Sequence, residues 1–246
     1  MWSPPRVLLA GDRALVVEYG ATIDERVNAR VRGLAAALHA SAPAGIVETV
    51  PTYRSLMVHY DPLRLEVSDL ERILREADAG LADEAVLARR TIEMPVTYGG
   101  EFGPDLADVA ARHGLSEDDV VAIHAATDYL IFMMGFMPGF PYLGGLSPRI
   151  ATPRLPTPRT VVPAGSVGIA GHQTGIYPTD SPGGWRLIGR TPVRLFDTAR
   201  TPPVLFEAGD YVRFVPVSAR ESADIARGVA SGAFAPVVRV ERAHPS

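Results

Sequence analysis

Between Gly135 and Thr191 the chain sets 11 glycines and 9 prolines into 57 residues, 20 of the 45 that the 246-residue sequence contains. Proline removes a backbone donor and fixes φ, while glycine admits positive φ and close approach, so no long helix can run through this stretch. Apolar and aromatic residues are interleaved throughout without a period, which excludes a low-complexity linker and a collagen-like repeat. The stretch reads as backbone built to one fixed shape from short strands and tight turns. Val193 to Phe196, Val204 to Phe206 and Tyr211 to Val217 follow as short strands, predicting an all-β barrel with a modest helix over Ser222 to Ala230 after it. Just upstream, Tyr129 to Pro148 carries no charge over about the length of a membrane helix. Its three prolines and four glycines would break such a helix repeatedly, so a buried strand followed by an ordered loop is expected.

The first part of the chain has a different texture. Ala14 to Tyr19 is a β-rich run, and Thr22 with Glu25 forms a capping box that opens a helix whose buried face is Val27, Val31, Leu34, Ala35 and Leu38. Ile46 to Val50 and Ser55 to Tyr60 read as strands. Ser68 with Glu71 forms a second capping box before a helix faced by Leu70, Ile73, Leu74 and Ala77, and Thr91 to Val96 supplies a further strand. The order β-α-β-β-α-β predicts an α+β ferredoxin-like sandwich over residues 1–98. Asp105 to His113, ended by Gly114, and a helix capped by Ser116 form a helical connector over 99–128, with the barrel domain occupying 129–246.

Two absences remove whole classes of chemistry. Cysteine is absent, which excludes disulfides, thiolate metal sites and cysteine nucleophiles. All 24 basic residues are arginine, so no Schiff-base lysine, P-loop lysine or lysine-linked biotin is carried on this chain. Any phosphate must be met by arginine forks, backbone N–H groups or a partner's residues. A net charge of −4 argues against a nucleic-acid or anionic-membrane footprint. The apolar run Val7 to Ala10 is too short for a secretory core, so the chain is expected to begin near Met1 and to work in the cytoplasm. G-x-S-x-G, H-E-x-x-H and G-x-G-x-x-G patterns are missing, and no metal is predicted.

The glycine- and proline-rich stretch contains Gly135-Phe136-Met137-Pro138-Gly139-Phe140-Pro141-Tyr142-Leu143, then Pro158-Arg159 and Val162-Pro163-Ala164-Gly165-Ser166-Val167-Gly168. Gly171-His172-Gln173-Thr174-Gly175-Ile176-Tyr177-Pro178 and Ser181-Pro182-Gly183-Gly184-Trp185 follow. This ordered series resembles the family that contains the 5-oxoprolinase B subunit, the kinase inhibitor KipI and allophanate hydrolase subunit 1, and the resemblance covers nearly the whole chain. It implies a cyclophilin-like barrel for the C-terminal domain. It also implies two partners, a C-type subunit resembling allophanate hydrolase subunit 2 and an A-type subunit of the LamB/YcsF kind. The activity implied is ATP-dependent hydrolysis of 5-oxo-L-proline to L-glutamate, with Mg-ATP bound at a site shared with a partner. Two alternatives accompany it: a urea- or allophanate-linked amide hydrolase or carboxyltransferase subunit, and a binding module that inhibits a sensor histidine kinase.

A lactam amide is a poor electrophile, and phosphoryl transfer to its oxygen turns that oxygen into a leaving group. The site must then stabilise phosphate charge and move a proton. Arg149, Arg154, Arg159, Arg186 and Arg190 flank the motifs, and Arg159 and Arg186 are taken as substrate- or phosphate-binding forks or, alternatively, as inter-loop pairs. Gly165 and Gly168 would let backbone N–H groups approach an anion, or else serve turn geometry. His172 is the one histidine in the stretch and the candidate general acid/base, against a histidine satisfied within a turn. Gln173, Tyr177 and Trp185 are candidate substrate contacts. Phe136, Phe140 and Tyr142 read as partner interface or core.

Overall fold

A computed structural model of the chain describes residues 1–2, 4–81 and 89–241. The chain divides into two units, Met1–Leu87 and Ala88–Ser246. In the first, β1 (Arg6–Leu9), β2 (Ala14–Glu18), α1 (Glu25–Ser41), β3 (Ile46–Pro51), β4 (Ser55–Tyr60) and α2 (Val67–Ala79) follow in order. The strands form one antiparallel sheet, β1-β2-β4-β3. Alternate residues of β4, Leu56, Val58 and Tyr60, point into a core with Leu15, Val17 and Tyr19. Val31, Leu34 and Leu38 of α1 and Leu70 and Leu74 of α2 cover them, as the 3.6-residue spacing requires. A polar bolt ties the layers together: Tyr19 Oη donates to Asp78 Oδ1 at 2.7 Å, and Arg30 Nε reaches the same oxygen at 3.1 Å.

Both expected capping boxes differ in detail. Asp24, not Thr22, caps α1, its Oδ1 accepting from Arg26 N at 2.8 Å and Val27 N at 3.1 Å. Helix α2 begins two residues earlier than a Ser68 cap would give, with Glu66 at the cap and no side-chain bond there.

The second unit contains β5 (Arg89–Tyr98), α3 (Leu106–His113), α4 (Glu117–Ala125), β6 (Asp128–Met134), β7 (Pro141–Gly144) and β8 (Arg159–Val162). It continues with β9 (Ser166–Ala170), β10 (Gln173–Ile176), β11 (Ser181–Gly183), β12 (Arg186–Arg190), β13 (Tyr211–Pro216), α5 (Ala219–Ser231) and β14 (Val238–Glu241). Seven strands run in the order β12-β9-β10-β7-β6-β13-β5, and a β12–β5 pairing closes them into a barrel. The barrel expected from the glycine- and proline-rich stretch is therefore present. Strand β14 extends it on β5, while β8 and β11 form a separate two-stranded ribbon. No helix among the described residues is long and apolar enough to cross a membrane.

The strand expected over Thr91–Val96 belongs to this barrel and does not complete the first sheet. It lies within β5, which pairs with β13, β14 and β12. The edge beside β2 that a ferredoxin-like order would give to this strand is taken by β1. Burial explains the difference, because Thr91, Ile92, Met94, Pro95, Val96 and Thr97 are all buried, so both faces of the strand are covered. An edge strand of a one-sided sheet would alternate. Helices α3 and α4 contribute Leu106, Val109, Ala110 and Val120 to the barrel's core. The strands expected at Val193–Phe196 and Val204–Phe206 reduce to one bridge, Phe196 with Val204. Pro192, Pro202 and Pro203 withhold ladder donors there. The Arg200 guanidinium supplies them instead, donating to the carbonyls of Arg194, Leu195, Pro202 and Pro203.

A histidine set in the apolar run Val120 to Ala126 lies within this core. His124 of α4 is fully buried and stacks on Phe214 with ring centroids 4.5 Å apart. Thr174 Oγ1 donates to Gly168 O at 3.1 Å, so it accepts from His124 Nε2–H at 2.9 Å, and His124 Nδ1 accepts from Tyr98 Oη at 2.8 Å. Burial pushes the His124 pKa down from 6.5 to about 3. Between those values the unfolded chain takes up a proton that the folded barrel refuses, so this contribution to stability is complete above pH 6.5 and falls as pH drops toward 3. By pH 5 the loss is about 2 kcal/mol. Urea unfolding followed by Trp185 fluorescence in a Trp2→Phe background should show this loss between pH 7.5 and 5, and His124→Gln should remove most of that pH dependence while lowering stability at pH 7.5.

Candidate functional site

Gly168 of β9 and Gly175 of β10 face each other across the ladder. A Cβ on Gly175 would stand 3.0 Å from Trp185 Cζ3 and 3.3 Å from Phe140 Cζ, and one on Gly168 would stand 3.1 Å from Trp185 Cβ. The pair leaves a strip of bare backbone against which Trp185 packs, on the outside of the barrel strands. Gly183 does the same for Tyr177, whose hydroxyl lies 2.5 Å from where a Cβ would be. These glycines are required by close approach, not by an open anion site.

Phe140 is the hub of the aromatic cluster that results. Its ring centroid lies 5.7 Å from Trp185, 5.6 Å from Tyr177, 5.1 Å from Tyr142 and 5.5 Å from Phe136, with interplanar angles from 63° to 90°. Such edge-to-face contacts add about 0.5–1.5 kcal/mol each beyond area burial. They wall a cleft of about 340 Å³ lined by Phe136, Phe140, Tyr142, Arg154, Pro158, Tyr177, Pro182, Gly183, Gly184 and Trp185. Burial pushes the Tyr177 hydroxyl's pKa up, opposed by the Trp185 backbone and by Arg154 and Arg159. Phe136 stands at the lip, 66% exposed and with φ of 63°, a left-handed conformation that is strained for a bulky side chain.

The structure commits the two arginine forks elsewhere. Arg159 donates to Asp105 Oδ1 at 2.7 Å and to the Trp185 carbonyl at 3.4 Å. Arg186 donates to Asp108 Oδ2 at 2.7 Å and to the Pro153 carbonyl at 3.3 Å. Asp105 opens α3 without capping it, because its other oxygen accepts from Leu187 N at 2.7 Å. Both arginines thus hold the Trp185 segment against α3. Gly165 N donates to the Tyr177 carbonyl at 2.7 Å, and Gly168 lies mid-strand, paired on both sides. His172 is exposed at the β9–β10 turn, with Gln173 paired to Ala170 beside it. Five residues of extended chain, about 17 Å, separate His172 from Tyr177.

Of the residues singled out from sequence, the cleft therefore assembles Phe136, Phe140, Tyr142, Tyr177 and Trp185. It does not include His172, Gln173, Gly165, Arg159 or Arg186. The carboxylates of Asp105 and Asp108 carried no signal in the sequence, since they meet their arginines 54 and 78 residues away. Among the described residues no group of three or more His, Asp or Glu is placed to hold a metal. Adding a methyl at Gly175 should displace the indole: Gly175→Ala is expected to cost about 1–3 kcal/mol in urea unfolding and to shift Trp185 emission in the Trp2→Phe background.

Residues 5–206 match the family model described as "Carboxyltransferase domain, subdomain C and D". The 5-oxoprolinase B subunit of Bacillus subtilis is 44% identical over 221 residues, covering 86% of this chain and 92% of that one. That of Escherichia coli O157:H7 is 46% identical over 214 residues, covering 86% and 95%. The crystal structure of TTHA0988 superposes with a TM-score of 0.76 at 42% identity over 84% of this chain, which spans 40% of that longer protein. A barrel closed through β5, the ordered glycine motifs that seat Trp185, and these matches lead to one assignment: the chain belongs to the carboxyltransferase domain, subdomain C and D, family, alongside the B subunits of 5-oxoprolinase.

Proposed function

We propose that this chain is the B subunit of an ATP-dependent 5-oxoprolinase, which opens 5-oxo-L-proline to L-glutamate together with partner subunits. The observation that carries the reading is identity of 44–46% to B subunits of that name, over more than nine-tenths of their length. The cleft supports it, because an aromatic-walled space of about 340 Å³ lies at the small end of the roughly 300–1,000 Å³ found for ligand pockets and suits a single small ring.

The donors expected to meet phosphate are already used. Arg159 is paired with Asp105, Arg186 shares Asp108 with Arg112, and the Gly165 amide is bonded within the barrel. These residues do not fit a nucleotide's phosphates, so ATP and its Mg²⁺ are placed on a partner. Subunits of the C and A types are the proposed partners. Phe136, held in a strained conformation and two-thirds exposed at the lip of the cleft, is the proposed anchor for one of them. His172, at an exposed hairpin tip, reaches the reaction only from beneath a partner laid over that tip.

The test is to assemble the chain with its C- and A-type subunits and to assay ATP-dependent glutamate release from 5-oxoproline. Release that requires all three is expected, and none from a correctly assembled set would remove the reading. Phe136→Ala should weaken assembly about tenfold or more by sedimentation, since truncating a buried aromatic anchor typically costs over 1 kcal/mol and often 2 or more. His172→Ala should lower turnover with assembly intact; unchanged turnover would leave the cleft residues alone as this chain's part of the site.

A further inference from the structure

Three guanidiniums surround Trp185, and charge pairing separates them. Arg159 and Arg186 each end on a carboxylate at 2.7 Å. Arg154 does not. It lines the cleft, lies over the indole ring with its guanidinium carbon 5.9 Å from the centroid, and has no carboxylate or hydrogen-bond partner among the described residues. At that distance the guanidinium is at the outer limit of a cation–π contact, and its N–H fork is not tied to any protein acceptor among the described residues, so it can meet the two oxygens of a carboxylate. The remaining walls are aromatic rings, Phe136, Phe140, Tyr142, Tyr177 and Trp185, with prolines and glycines between them and no acidic side chain in the lining. The cleft therefore offers one uncompensated positive charge beside flat apolar surface. A monoanion with a small planar body satisfies both, whereas a polyphosphate would bring several negative charges to a single guanidinium.

We propose that Arg154 is the carboxylate-binding residue of this cleft and that it selects a small ring carrying one carboxylate. Resting on the oxoprolinase reading above, the ligand is 5-oxoproline itself: its lactam ring packs against Trp185 and Phe140, and its carboxylate pairs with the guanidinium. The lactam carbonyl is then left facing the mouth of the cleft, toward the partner that supplies the phosphoryl group. This assigns substrate recognition to the one arginine that the fold leaves unpaired at the cleft, and positioning of Trp185 to the two that it pairs with Asp105 and Asp108.

Steady-state kinetics of the assembled complex decide the matter. Arg154→Leu should raise KM for 5-oxoproline about tenfold or more while kcat changes far less, because a charge-assisted fork to the substrate is lost. Arg154→Lys keeps the charge without the fork and should recover part of the loss. The competing ring 2-pyrrolidinone, which lacks the carboxylate, should inhibit wild type and Arg154→Leu equally, and inorganic phosphate should compete weakly. A KM within twofold of wild type in an active Arg154→Leu complex overturns the assignment, as does phosphate competing as well as 5-oxoproline binds. A wild-type complex with no turnover would instead remove the oxoprolinase reading beneath it. Arg154 is exposed, so neither variant should disturb folding, and Trp185 emission and subunit assembly check this directly.

Discussion

The cleft exists because two facing strands carry no side chains where an indole must lie. Gly168 and Gly175 are cross-strand partners, and a methyl on either would press into Trp185 at 3.0–3.1 Å. With the tryptophan seated there, Phe140 can meet it edge-on and gather Tyr177, Tyr142 and Phe136 around itself. Without that seat the rings would have no common floor. The chain positions on either side of Trp185 are fixed by charge: Arg159 takes its carbonyl and Asp105, while Arg186 takes Asp108. Partly buried pairs of this kind contribute little net stability, yet breaking one strands its partner, so they serve placement more than affinity.

That division of labour gives the site its sign. Arginine is the chain's sole basic residue apart from histidine, and guanidiniums crowd the glycine- and proline-rich stretch, which suggests a strongly cationic pocket. Asp105 and Asp108 engage two of the five that flank the motifs, Arg159 and Arg186. At the cleft itself the arginine in the lining is Arg154, set against aromatic walls, and the proposed recognition of a small monoanion rests on that arrangement. On the proposed reading, this chain would hold the substrate while a partner supplies the phosphoryl group.

The barrel core holds polar groups of another kind. His124, Thr174 and Tyr98 form a closed relay ending on the Gly168 carbonyl, directly beneath the strip that seats Trp185. Every donor and acceptor of the imidazole is used, so the histidine stays neutral and fixes the register of α4 against β10. The same strand residue, Gly168, therefore serves the core on its carbonyl and the cleft on its bare Cα.

Much of the architecture was written in local pattern. Helical spacing of Val31, Leu34 and Leu38, the Ser116 cap, the Gly114 stop and the density of glycine and proline after Gly135 each act over a few residues, and each predicted the element that forms. The aromatic members of the site were legible for the same reason, as bulky residues set among glycines. Long-range pairing was not. Whether Thr91–Val96 closes the first sheet or the barrel depends on which edge offers hydrogen bonds, and β1 and β12 settle that from positions far along the chain on either side. Likewise Arg154 and Arg159 are the same residue type a few positions apart, and only the arrival of Asp105 beside Arg159 makes that one a brace. Sequence thus determined which residues could do chemistry; tertiary structure decided which were already spent on one another, because ion pairing and strand pairing are satisfied through space and leave no mark on neighbouring positions.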